Sequence, residues 1–258
     1  ILQPLSSCPF WFRFVSYIGD RLHRDLGTSY RTIQPFTGEF FTKVPVTLKL
    51  GCLSFIVSSI VGISLGILSA VRQYSFADTF STITAILFAS IPGFFLGMVL
   101  IYVFGLKLGL LPTHGITEWR SYILPVLTLA AGGSAQLMRL TRTTMLEAIR
   151  QDFMRTAKAK GCTPACMVWK HALKNALLPV LTVMGTSFGS ILGGAVICET
   201  VFAIPGLGNY ILTAIRSKDI PVVMSSTVFL SAFFCLVMVV VDILYAVIDP
   251  RLRETVGK

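Results

Sequence analysis

Few side chains in this sequence have the type and spacing to do chemistry. Cys162 and Cys166 lie four apart and can share one helix face, the arrangement that opens many metal sites. The sequence sets no further ligand close beside them, so the pair reads as structural thiols and no metal is expected. His171, five positions beyond Cys166, reads as a packing residue in preference to a proton or metal carrier. Glu199 and Asp242 are the acids nearest the long apolar runs, where an ionisable group is a functional candidate by default. Both stand at the ends of their runs, within reach of water. Glu199 opens the stretch ETVFAIPGLG, whose Pro205, Gly206 and Gly208 predict a turn at an external mouth that serves as a hinge or a contact for another protein. No G-x-x-x-x-G-K-[ST] phosphate loop occurs, so this chain has no nucleotide-hydrolysing site of that kind. No catalytic residues and no cofactors are expected.

The elements that carry these residues are set by composition. Of 258 residues, 54% are hydrophobic and 13% charged, a balance too apolar for a chain dissolved in water. The net charge of +10 is read as membrane topology, not as nucleic-acid binding, because most of the chain has no soluble surface on which a basic patch could sit. The six cysteines, Cys8, Cys52, Cys162, Cys166, Cys198 and Cys235, form no paired framework and read as free thiols.

A bilayer core needs ~20 apolar residues in helical form, since each backbone polar group must be satisfied within its own segment. Five spans are predicted, over residues 46–71, 79–106, 121–142, 175–198 and 220–247. Lys107, Arg139, Lys174, Glu199, Asp219 and Asp242 bracket these runs, as the cost of a mid-span charge demands. The segment from Arg139 to Lys174, at the end of the third span and ahead of the fourth, holds Arg139, Arg142, Arg150, Arg155, Lys158, Lys160, Lys170 and Lys174 and is assigned to the cytoplasm. By alternation Arg72 and the tail, residues 248–258, share that side. Residues 1–42 are read as an extracytoplasmic segment; their basic residues and the missing initiator methionine lead to the expectation of a further helix upstream. Gly62 and Gly66 in the first span, and Gly185, Gly189 and Gly193 in the fourth, form small-residue stripes where another helix can approach closely. Pro92, within Ser90-Ile91-Pro92-Gly93, is expected to kink the second span.

The most informative stretch runs over residues 147–174. It is too polar to enter the membrane and too long for a turn. Ala157, Lys158, Ala159 and Lys160 favour a helix, Gly161 ends it, and Thr163-Pro164 starts the next. A helix-Gly-helix elbow on the cytoplasmic face follows, with Ala157 and Ala159 small enough to seat in another protein's groove; a lipid-facing amphipathic loop is the plainer reading.

This stretch resembles the cytoplasmic loop of binding-protein-dependent ABC importer permeases. RTAKAKG at residues 155–161 is similar to the version found in the peptide/nickel branch, and the spacing from Gly161 to His171 fits. Arg155 stands where the family motif has an acid, Thr156 where it has its first alanine, and Leu178-Pro179 comes five residues late. GDRLHRDLGTSYRTIQPFTGEFFTKVPVTLKL, SIPGFF, GLLPTHG, ETVFAIPGLGNYILTAIRSKDIPVV and DILYAVIDPRLR resemble the same branch in order, so the likeness covers nearly the whole chain.

The resemblance implies an all-α membrane bundle, a type I importer permease in a bacterial or archaeal cytoplasmic membrane. It implies four partners: a second homologous permease, two ABC ATPase subunits and an extracytoplasmic substrate-binding protein. Arg155, Thr156, Ala157, Lys158, Ala159, Gly161 and His171 would dock the ATPase, and the cargo would be a di- or oligopeptide, or nickel or a metal chelate. The rival from another class is an ATP-independent secondary transporter or channel. It predicts inverted repeats, broken helices and buried ion-coupling acids, and no internal repeat and no mid-span charge is visible.

Overall fold

A computed structural model describes residues 28–248 together with Trp11 and Gly19. Among the described residues the chain is helical throughout, and the extended backbone is limited to one bridge between Thr28 and Pro35. Eight helices follow in order: α1 Thr37–Val71, α2 Phe76–Ser90, α3 Gly93–Lys107, α4 Trp119–Ile149, α5 Asp152–Ala159, α6 Pro164–Val201, α7 Leu207–Arg216 and α8 Ile220–Ile248. Four of them, α1, α4, α6 and α8, are each long and apolar enough to cross a membrane.

The pair α2 and α3 would make a fifth span, but the two helices meet at 104°. The helix predicted over 79–106 is therefore interrupted, not merely kinked. Pro92 drives the break: it disfavours helical backbone in the residue before it, and Ile91 is extended at φ −82°, ψ 124°. Pro92 is extended too, and Gly93 restarts the helix. At its far end α3 widens into a π-helix over Ile101–Lys107.

Helix α4 is the centre of the bundle and packs against α1, α2, α3 and α6. Its closest approach is to α1, where small residues admit backbone to backbone. A Cβ on Gly62 would lie 2.8 Å from the Ser134 carbonyl oxygen, and one on Gly66 would lie 2.8 Å from that of Met138. The stripe on α6 behaves differently. Gly185 is buried and Gly189 faces the ring of Phe234 on α8, whereas Gly193 meets nothing within 4 Å and Gly194 lies against Leu129. Of the two stripes, only the one on α1 packs backbone against backbone, with Gly62 and Gly66 set against the α4 chain at Ser134 and Met138.

Candidate coupling elbow and buried carboxylate site

At one end of the bundle the chain leaves α4 and turns through α5 into α6. Helix α5 stops in a Schellman arrangement: the Cys162 amide donates to the Ala157 carbonyl at 3.2 Å, and the Gly161 amide to the Lys158 carbonyl at 3.0 Å. Gly161 holds φ +81°, a left-handed conformation that an L side chain adopts only with strain. Thr163 then caps α6, its hydroxyl accepting from the Cys166 amide at 3.3 Å, with Pro164 in the first turn where no amide is needed.

Helix α5 is strongly two-sided. Met154 is buried against Ile67, Ala70, Met145, Ala148, Ala172 and Ala176, and Ala157 is buried as well, at 6% exposure. Arg155, Thr156, Lys158, Ala159 and Gly161 are exposed, as is Trp169 at 63%. Of the two alanines expected to seat in a partner's groove, Ala157 turns inward and Ala159 lies on the outer face. Sequence reasoning passed over Trp169, although a large aromatic in a basic amphipathic stretch is the signal that could have found it. The ion pair between Arg155 and Asp152 is fully solvated and contributes little.

The structure also adds a neighbour to the two thiols. The Sγ atoms of Cys162 and Cys166 and a ring nitrogen of His171 all lie within 4.8 Å of one another. Cys162 Sγ is 3.7 Å from His171 Nε2. The two cysteines therefore have a third ligand-type neighbour, which the spacing alone did not bring near.

Beneath the elbow, Asp78 and Arg142 form a latch that sequence reasoning missed. Arg142 Nε and Nη2 donate to the two carboxylate oxygens of Asp78 at 2.8 and 3.0 Å, and the Ser69 hydroxyl and the Tyr74 amide also donate to that carboxylate. This fork joins α1, α2 and α4. Its sequence signal is slight: Asp78 stands in the first turn of α2, three residues after the capping Ser75.

At the opposite end of the bundle, Glu199 is 0% exposed, so its assignment to a water-accessible span end is corrected. The Thr47 hydroxyl donates to Glu199 Oε1, the Asn209 amide donates to Oε2 at 2.9 Å, and the Gly208 amide adds a further bond. The carboxylate thus caps the N-terminus of α7, where a helix leaves amides unpaired and favours negative charge. Gly206 and Gly208 are needed for space more than for a turn. A Cβ on Gly206 would collide with the Glu199 carboxyl, and one on Gly208 would lie 2.6 Å from Val196 Cα. The left-handed residue of this turn is Ala203, at φ +50°. Nearby, Asp219 accepts from the Ser29 hydroxyl and from the Tyr30 amide at 3.1 Å, tying the segment ahead of α1 to the α7–α8 turn. Asp242, the other candidate acid, lies on α8 in the part whose side chains are outside the described set.

Between the two ends, α2, α3, α4 and α6 enclose a cavity of about 350 Å³. Phe88 and Phe94 line it on one side, and Gln136, Ser187 and Ser190 supply polar groups on the other.

Long apolar helices with a cavity between them and a basic elbow at one end mark a multi-pass membrane protein. Residues 62–254 match the family described as binding-protein-dependent transport system inner membrane component, and the chain belongs to that family. It is 40% identical over 245 residues to the glutathione transport system permease protein GsiC of Escherichia coli strain K12, covering 95% of this chain and 80% of that protein. The same permease from Shigella boydii serotype 4 is 39% identical over 245 residues, with the same coverage of both chains. Among solved structures, the fold is similar to a chain of the inward-facing MetNI methionine ABC transporter, with a TM-score of 0.70 at 20% identity over 84% of this chain and 99% of that one. An amino acid ABC transporter gives a TM-score of 0.61 at 16% identity. The chain is therefore an ABC importer permease subunit, a multi-pass protein of the bacterial inner membrane and a member of the peptide/nickel branch. Membership of this family sets aside the ATP-independent carrier or channel.

Proposed function

We propose that this chain forms half of the translocation pathway of an ATP-driven importer of small peptides, with the elbow as the lever on which a separate ATPase acts. The observation that carries the substrate class is the 40% identity, over 95% of the chain, to a glutathione permease, whose cargo is itself a short peptide. Nickel or a metal chelate is the second reading within the same branch. The lined cavity favours peptide, since Gln136, Ser187 and Ser190 can hydrogen-bond an amide backbone while Phe88 and Phe94 accept side chains.

The mechanical reading rests on the two-sided α5. Met154 binds the elbow to the ends of α1, α4 and α6, so that displacement of the exposed face moves those helices together. A second permease subunit completes the pathway, and an extracytoplasmic binding protein delivers cargo at the Glu199 end. In this orientation the elbow and the Asp78–Arg142 latch are cytoplasmic. Alternating access is a two-state equilibrium of the bundle, biased by closure of the ATPases.

Uptake of labelled glutathione, dipeptides and Ni²⁺ by cells carrying this subunit with a second permease, ATPase and binding-protein subunits tests the reading. ATP-dependent accumulation of peptide that the elbow variant Lys158→Glu abolishes is the expected result. Accumulation of Ni²⁺ without peptide would replace the substrate class, and uptake indifferent to the elbow would remove the lever.

A further inference from the structure

We propose that Cys162, Cys166 and His171 form a binding site for a zinc ion on the elbow, with water in the fourth position. Three observations converge on it. The ligand atoms all lie within 4.8 Å of one another, and the 3.7 Å between Cys162 Sγ and His171 Nε2 matches a tetrahedral zinc edge. Bond lengths of ~2.3 Å to sulfur and ~2.0 Å to nitrogen place such ligands about 3.6 Å apart. The site thus needs little movement to close around the ion.

The backbone explains how residues at this spacing meet. Five positions along an α-helix rotate a side chain by ~500°, leaving Cys166 and His171 about 140° apart around the axis. Here the chain is π-helical over Met167–Ala172, with the Leu173 amide donating to the Val168 carbonyl, and this wider turn brings i and i+5 to one side. Cys162, held just ahead of the Thr163 cap by the Gly161 stop, closes the triangle from the α5 side. The site therefore bridges the two arms of the elbow.

Two thiols and an imidazole are a donor set that zinc takes readily. Zinc binding releases the two thiol protons to solvent and leaves two thiolates that neutralise the 2+ charge, with the neutral imidazole as third ligand. All three side chains are only partly buried, which leaves a route for the ion. Bound zinc would staple α5 to the start of α6 and stiffen the elbow. Its effect on ATPase coupling rests on the function proposed above; the binding itself does not.

The test is a titration of the full-length reduced chain in detergent with Co²⁺, reading the thiolate-to-cobalt charge-transfer absorption. One Co²⁺ per chain, displaced by stoichiometric Zn²⁺, is expected. Cys162→Ser, Cys166→Ser and His171→Gln should each weaken binding by ~100-fold or more, beyond the 10–100-fold that loss of a supporting residue costs. Cys235→Ser, remote on α8, should bind as the parent does. Circular dichroism of each variant reports folding, and three independent ligand variants keep the question open to an answer if one misfolds. Absence of the band in the parent, its survival in all three variants, or recovery of the pair only as a Cys162–Cys166 disulfide that takes up no metal would overturn the site. None of those results would touch the docking reading, which co-purification with the ATPase decides.

Discussion

Thr47 and Glu199 stand 152 positions apart and share one buried hydrogen bond that joins the first and the third long spanning helices to the amphipathic α7. Thr47 does this from both sides of its hydroxyl. It donates to the carboxylate of Glu199 and accepts from the Leu207 amide at 2.7 Å. The first turn of α7 is thereby held at both its amides and its position.

Replacing Glu199 with Ala should loosen that end of the bundle. The amides of Gly208 and Asn209 and the Thr47 hydroxyl would lose their acceptor in a site with no exposure, at a cost of ~1–3 kcal/mol for each group left unpaired. Thermal unfolding in detergent should shift down, and proteolysis should find a new cut near residues 202–208. Unchanged stability and cleavage would show that water replaces the carboxylate without loss.

The Asp78–Arg142 fork should behave as a coupled pair. Asp78→Ala strands a guanidinium that is only 27% exposed and should cost about 3 kcal/mol, the lower end for a broken buried pair. Arg142→Met should cost a similar amount. The double variant should recover part of the loss, since neither charge is then unpaired, and a double-mutant cycle on denaturation midpoints measures this. Strict additivity would show that the two side chains do not stabilise each other.

Glycines in the two stripes should differ in tolerance. Gly66→Val places methyl groups against Thr141 and the Met138 carbonyl and should cost ~1–3 kcal/mol through overpacking. Gly193→Ala enters open space and should be neutral, or stabilising by up to ~1 kcal/mol, in the isolated subunit. Equal losses at both sites would mean that Gly193 is covered by an element of this chain.

On the elbow, the two faces of α5 separate stability from docking. Lys158→Glu and Ala159→Trp alter exposed positions and should change the stability of the subunit by less than ~0.5 kcal/mol while abolishing ATPase co-purification. Ala157→Trp should instead destabilise the subunit itself, because Ala157 is only 6% exposed and the larger side chain would overpack the site. If the two outer-face variants retain a full complement of ATPase, the exposed face is not the docking surface.

Much of this architecture is local and was legible without coordinates. Run length and end charges mark the spans. Ala157 to Lys160 mark a helix, Gly161 its stop, and Thr163-Pro164 the next start, because each depends on neighbours within one turn. Pro92 announced a disturbance for the same reason, but a single proline sets where the chain turns, not by how much. The 104° between α2 and α3 arises from two consecutive extended residues.

What the chain determined by itself was its solvent, its helices and the polar elbow, since apolar length and turn chemistry act within a few residues. Tertiary structure alone decided which face of α5 turned inward, that Glu199 left water to cap a helix beginning eight residues later, and that Cys162, Cys166 and His171 met. Those outcomes depend on which helices meet and on how far a turn is widened. No pattern of neighbouring residues records either.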